Sequence, residues 1–127
     1  AVPEGSSTIN DLISRGFAYK NNGQALQAIE AFNKAWLASG DNELKYLLTL
    51  ELLALCKETG NYSQAETILG LFLESGEINS DIINEIRYQI EYIRLLAVEL
   101  SRLGMNGLPF SRVPRWIRLE VENALSL

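Results

Sequence analysis

A short run of glycine, alanine and aromatic residues near the N-terminus most constrains how this chain folds. Gly16 and Tyr19 are three residues apart in one segment, and Ala28 and Phe32 are four apart in the next. These spacings place each pair on one face of a helix. Gly23 lies between the segments, where a left-handed residue ends a helix. The run therefore predicts two helices joined by a tight turn, with Gly16 at their closest approach.

The run resembles the tetratricopeptide repeat, a helix–turn–helix unit of about 34 residues with the signature W-x2-L-G-x2-Y, A-x3-F and a final proline. Gly16-x2-Tyr19 and Ala28-x3-Phe32 match it in residue type and spacing. Gly40 stands where the family usually has proline, and either residue stops a helix. The resemblance covers residues 9–42 and implies a scaffold that binds another protein.

A second unit, aligned on Gly60, resembles the family less closely. Ala65 matches Ala28, but Leu69 stands for Phe32, Cys56 for Tyr19 and Leu53 for Gly16. Beyond residue 80 the resemblance is weak. It implies one domain with four parts: a flexible leader (1–8), a first repeat (9–42), a second repeat (43–78), and a long helix followed by a capping helix (80–127).

The apolar periodicity predicts six helices and no strands. Their expected ranges are 9–22, 25–38, 43–58, 62–75, 80–103 and from Pro114 onward, with Thr8 and Ser80 as N-caps. The last helix is expected to dock through Ile117, Val121 and Leu125. Residues 104–113 are expected to form a mobile loop with few apolar anchors. The predicted fold is all-α, a right-handed array of antiparallel helix pairs with divergent C-terminal capping helices.

Charge and composition argue against several function classes. The chain of 127 residues has a net charge of −5 and no histidine. All of the excess negative charge lies in residues 1–79, and this acidity argues against nucleic-acid binding. No apolar run approaches the length of a membrane span, and residues 1–7 lack the features of a signal peptide. We therefore expect a cytoplasmic protein.

Catalytic and metal-binding arrangements are absent from the sequence. It has no nucleophile elbow, no phosphate-binding glycine loop and no cluster of metal ligands. Cys56 is the single cysteine and lies on an apolar helix face, which favours a core residue over a redox or modification site. We expect no enzyme activity and no cofactor.

The tetratricopeptide resemblance implies a partner-binding groove lined by the first helix of each unit. The groove residues would be Ile13, Phe17, Lys20 and Asn21 from the first unit and Leu47, Leu50, Glu51, Ala54 and Lys57 from the second. Family members that capture a carboxylate use Lys and Asn at the positions of Ile13 and Phe17. Because that clamp is absent, the groove suits a protein or peptide with an apolar or amphipathic segment. Alternatively, one of the last two helices of the same chain covers these residues.

A second candidate surface lies near the C-terminus. Residues 100–118 include Arg112, Arg115 and Arg118 with Trp116 among them, and no acidic residue. Arginine and tryptophan are common interface anchors, so these residues suit an acidic partner or an anionic surface. Alternatively, the last helix is a cap whose tryptophan packs inward while its arginines face water.

The leading function is therefore protein–protein interaction, as an adaptor, an assembly factor or a chaperone-like binder. The alternative is a structural module in which the groove or the last helix associates with a second copy, forming a homodimer. An exposed Trp116 would favour this alternative.

Removing the Phe32 ring tests the assignment of the first repeat. Phe32→Ala should lower the free energy of unfolding by about 3–5 kcal/mol, because it leaves a cavity in the core. Chemical denaturation followed by circular dichroism measures this loss. An unchanged denaturation midpoint would contradict the assignment.

Overall fold

The computed structural model describes residues 4–76 and 78–126, with side chains from residue 8 onward. This part of the chain is all-α, as predicted. The six α-helices are α1 (Glu4–Asn21), α2 (Ala25–Ala38), α3 (Asn42–Glu58), α4 (Tyr62–Leu73), α5 (Ser80–Arg102) and α6 (Arg115–Leu125), with a short 3-10 helix at Phe110–Arg112.

The start of α1 differs from the prediction. The helix begins at Glu4, so residues 4–8 are helical and are not part of a flexible leader. Serine and threonine inside a helix cost only about a few tenths of a kcal/mol each. Thr8 therefore does not have to mark the start of α1. Residues 1–3 of the expected leader lie outside the described residues.

The chain divides into two compact units, Ala1–Leu55 and Cys56–Leu127, with the boundary inside α3. In the first unit, α1 packs on α2. Gly16 faces the fully buried Phe32, and a Cβ atom on Gly16 would stand 2.6 Å from Cε1 of that ring. At Gly16, α1 therefore lies too close to the Phe32 ring for any side chain to fit between them.

The turn between α1 and α2 depends on a left-handed glycine. Gly23 has φ +75°, and the N–H of Gln24 donates to the Tyr19 carbonyl at 2.8 Å. This hydrogen bond satisfies one of the carbonyls that a helix end leaves without a partner. The predicted tight turn is thus present, and it allows α2 to begin at Ala25.

A buried polar contact joins α2 to the first half of α3. The Trp36 indole N–H donates to Thr49 Oγ1 at 2.9 Å, and Thr49 Oγ1 donates to the Lys45 carbonyl at 2.7 Å. The Lys45 ammonium lies 4.3 Å from the centre of the Trp36 ring. Because both buried polar groups have partners, this part of the core avoids the desolvation penalty of an unpaired donor.

The second unit is built around α5, which packs against both α4 and α6. Its fully buried side chains include Leu69 and Phe72 of α4, Ile86, Ile93, Leu96 and Leu100 of α5, and Ile117 and Val121 of α6. The predicted docking of α6 is therefore confirmed for Ile117 and Val121, whereas Leu125, the third predicted docking residue, is only half-buried. The N-cap of α5 is Asn79, whose side chain accepts from the Asp81 N–H at 2.7 Å, so Ser80 is the first helical residue.

Residues 104–113 have more anchors than predicted. The Tyr62 hydroxyl donates to the Leu108 carbonyl at 2.6 Å, and Gly60 lies so close to the Gly107 carbonyl that no Cβ fits between them. Phe110 lies beneath the Lys57 ammonium, 3.9 Å from the ring centre, and Val113 is buried. The expectation of few anchors was wrong because these partners lie far away in the sequence.

The close approach at Gly16 can be tested with a matched glycine. Gly16→Ala should lower the free energy of unfolding by about 1–3 kcal/mol, because the added methyl group overlaps Phe32. Gly70, inside α4, has open space around its Cβ position. Gly70→Ala should therefore be neutral or raise stability by about 0.5–1 kcal/mol. Equal effects of the two substitutions in denaturant titrations would contradict the packing described for Gly16.

Candidate functional site

An apolar depression lies between α1 and α3 in the first unit. It has a volume of about 370 Å³. We call it the α1–α3 depression, and its lining residues are Ile13, Phe17, Leu44, Leu47, Leu48, Leu50 and Glu51. Five of the nine predicted groove residues are among them: Ile13, Phe17, Leu47, Leu50 and Glu51.

Helical spacing explains why these side chains meet. Ile13 and Phe17 are four residues apart on α1, and Leu47 and Leu48 lie three and four residues after Leu44 on α3. Phe17 is 40% exposed and Leu47 is 58% exposed, so the depression is open and its apolar groups face outward. Large apolar side chains grouped in this way are typical of binding surfaces.

An ion pair between Lys20 and Glu51 borders the depression at one edge. Lys20 Nζ lies 2.7 Å from Glu51 Oε2, and the same ammonium lies 5.9 Å from the centre of the Phe17 ring. Glu51 is the only charged residue in the lining, and Lys20 neutralises it. An exposed pair of this kind contributes little to stability, but it leaves the depression without net charge.

Phe17 belongs to the core as well as to the depression. Its ring meets Phe32 edge-on, with 5.1 Å between the ring centres and 79° between the ring planes. Edge-to-face geometry is a favourable arrangement for an aromatic pair. Phe32, against which Gly16 packs, therefore also positions the Phe17 side of the α1–α3 depression.

Other predicted groove residues lie elsewhere. Asn21 and Ala54 are exposed and do not line the depression. Lys57 belongs to the second unit, where its ammonium packs on Phe110 and burial lowers its pKa. Phe110 lies in the short 3-10 helix and not in α5 or α6, so the alternative that one of the last two helices covers the groove residues stays a prediction. Leu44 and Leu48 were not predicted, although their spacing from Leu47 and Glu51 is helical.

The second predicted patch is only partly on the surface. Arg112 and Arg115 are exposed, and Trp116 is 51% exposed. The alternative in which the tryptophan packs inward is therefore wrong, because Ile117 and Val121 occupy the inner face of α6 instead. The Arg118 guanidinium carbon lies 5.7 Å from the Phe110 ring centre, and its buried Nε has no hydrogen-bond partner among the described residues.

Cys56 is a core residue. Its side chain is fully buried, and burial raises the pKa of its thiol to about 11. Only the thiolate is a good nucleophile or metal ligand, so a buried thiol of this kind is inert at neutral pH. In the part of the chain that the structure describes, no group of three or more acidic or cysteine side chains is arranged to hold a metal ion.

Comparisons with known proteins add no relative. No protein-family model, curated protein or solved structure matches the chain. None of the helices in residues 4–76 and 78–126 has the length and apolar character needed to cross a bilayer. The geometry of the two surfaces therefore has to support any functional conclusion.

The burial of Cys56 predicts slow thiol chemistry in the folded protein. With a pKa of about 11, roughly one thiol in a thousand is ionised at pH 8. Labelling with a disulfide reagent should therefore be slow in buffer and become fast in denaturant, following the unfolding transition. Equally fast labelling in both conditions would contradict the burial of this residue.

Proposed function

We propose that this protein is a protein–protein interaction module of the tetratricopeptide type, acting as an adaptor, an assembly factor or a chaperone-like binder. In this proposal the helices form a right-handed array of antiparallel pairs. The α1–α3 depression receives an apolar or amphipathic segment of the partner. Binding, and not catalysis, is the activity.

One observation carries the proposal: exposed apolar side chains line an open depression whose only charge is neutralised. Phe17 and Leu47 are both well exposed there, and Glu51 is paired with Lys20. A helical or extended segment with apolar anchors would remove these side chains from water. A fixed unpaired charge would instead favour a partner with a charged terminus.

The size of the depression fits a few anchor side chains. Its volume of about 370 Å³ is near the lower end of the range for ligand pockets, which is about 300–1,000 Å³. The close contact between Gly16 and Phe32 also supports the repeat assignment, since the signature positions carry the packing that the family requires of them. The partner would therefore insert a short apolar stripe.

Leu47 offers the cleanest test of the depression. Leu47→Glu should abolish partner capture, because it places a charge among apolar side chains at a position that is 58% exposed and contributes little to the core. Capture from a lysate of the native host, with mass spectrometry of the retained proteins, measures this loss. Phe17 is less suitable because its ring also packs on Phe32.

Leu26→Glu is the matched control. Leu26 is an exposed leucine of α2 in the same unit, 73% exposed, and it does not line the depression. This variant should retain the partners of the parent chain, and both variants should keep a helical circular dichroism spectrum. If Leu47→Glu retains the same proteins as Leu26→Glu, the depression is not the binding site.

A further inference from the structure

The outer face of α6 carries exposed apolar groups between opposite charges. This face consists of Arg115, Trp116, Leu119, Glu122 and Asn123, all exposed. Trp116 is 51% and Leu119 is 44% exposed. A helix face that meets only water usually carries charged and polar side chains and few tryptophans or leucines.

The charges on this face run against the helix's own dipole. Arg115 is the first residue of α6, and Glu122 lies near its end; the first turn has no acidic residue and the last has no basic one. A helix dipole favours the reverse order. Neither Arg115 nor Glu122 forms an ion pair with another described residue, so no such pair offsets the unfavourable order of charges.

We propose that α6 is the interface of a homodimer, in which the helices of two copies pack antiparallel with Leu119 on the two-fold axis. A symmetric interface of this kind uses the same surface on both copies and must therefore be complementary to itself. When the two α6 helices run in opposite directions, the basic start of each helix lies beside the acidic end of the other, so the two surfaces are complementary.

Helix geometry sets the pairing. At a rise of about 1.5 Å per residue, Arg115 lies about 6 Å before Leu119 and Glu122 about 4.5 Å after it. In the antiparallel arrangement, Glu122 of the partner subunit therefore stands beside Arg115. At 3.6 residues per turn, these two residues lie on the same side of Leu119. Trp116 and Asn123 pair in the same way on the other side.

A second copy fits this face better than an acidic partner or an anionic surface. Glu122 lies on the face itself. Its carboxylate would repel a membrane or a nucleic acid whose negative charge extends beyond the arginines. A second copy instead provides one carboxylate for each Arg115 and covers Leu119 and Trp116 at the same time.

The dimer should be weak. Helix α6 has only 11 residues, so a contact through this helix alone buries far less than the roughly 800 Å² per partner of a standard interface. We therefore expect a dissociation constant of about 10 µM to 1 mM. Sedimentation equilibrium over this range with the complete chain should show the weight-average mass rising from monomer to dimer.

Charge reversal tests the pairing. Arg115→Glu and Glu122→Arg should each raise the dissociation constant at least about tenfold, since each places like charges together at both ends of the interface. The chain with both substitutions should return to within about threefold of the parent, because the ion pairs form again with reversed sign. Each single substitution also agrees better with the helix dipole than the native residue, so fraying of α6 would not explain a loss of dimer.

A cysteine cross-link tests the position of the axis. Leu119→Cys should form an intermolecular disulfide on mild oxidation, because residues on a two-fold axis lie close enough to bridge. Leu71→Cys is the control, since Leu71 is similarly exposed at 48% on α4. Cys56 is fully buried and gives no background.

Three results would overturn the proposal: a monomer at every concentration, a double variant that stays as weak as the single ones, or a Leu119→Cys cross-link no faster than that of Leu71→Cys. A monomer that binds acidic peptides or anionic vesicles through Arg115 would assign the face to another partner. The proposal does not depend on the α1–α3 depression, and loss of dimer with retained partner capture would separate the two.

Discussion

The contact between Gly16 and the Phe32 ring is the constraint on which the first unit depends. A single methyl group at Gly16 would stand 2.6 Å from the ring, so α1 can rest on α2 only at a residue without a side chain. The neighbouring positions then have fixed directions, because a helix has 3.6 residues per turn. Phe17 in particular is placed at the edge of the core, where one side of its ring packs on Phe32 and the rest remains exposed.

The α1–α3 depression follows from that placement. Phe17 and Ile13 of α1 form one wall, and the leucines of α3 form the other. The Trp36–Thr49 hydrogen bond holds the first half of α3 against α2. Because α1 also packs on α2, the same helix supports both walls of the depression. The depression is therefore built on the core of the first unit, and a preorganised surface of this kind would lose less entropy if a partner bound there, as proposed.

Local patterns could be predicted from the sequence, and distant contacts could not. The helices follow from apolar spacing, which is a local property, whereas the five correctly placed residues of the depression were implied by the tetratricopeptide resemblance. Lys57 was misplaced because its partner, Phe110, lies in a loop whose path depends on tertiary packing. The direction of Trp116 was left open because α6 offers two apolar sides, and only the packing of Ile117 and Val121 decides between them. The early start of α1 was missed because threonine is a preferred N-cap, yet it costs only about a few tenths of a kcal/mol inside a helix, so Thr8 is compatible with either position.

The central claim is that the Phe32 ring packs directly against Gly16 and thereby positions the α1 wall of the depression. Proton NMR tests this claim most directly. The account predicts nuclear Overhauser contacts from the Gly16 Hα protons to the ring protons of Phe32, Hα shifts displaced by the ring current, and methyl contacts between Ile13 and Leu47. Absence of the Gly16–Phe32 contacts in the folded protein, with Gly16 shifts typical of an exposed helix, would contradict it.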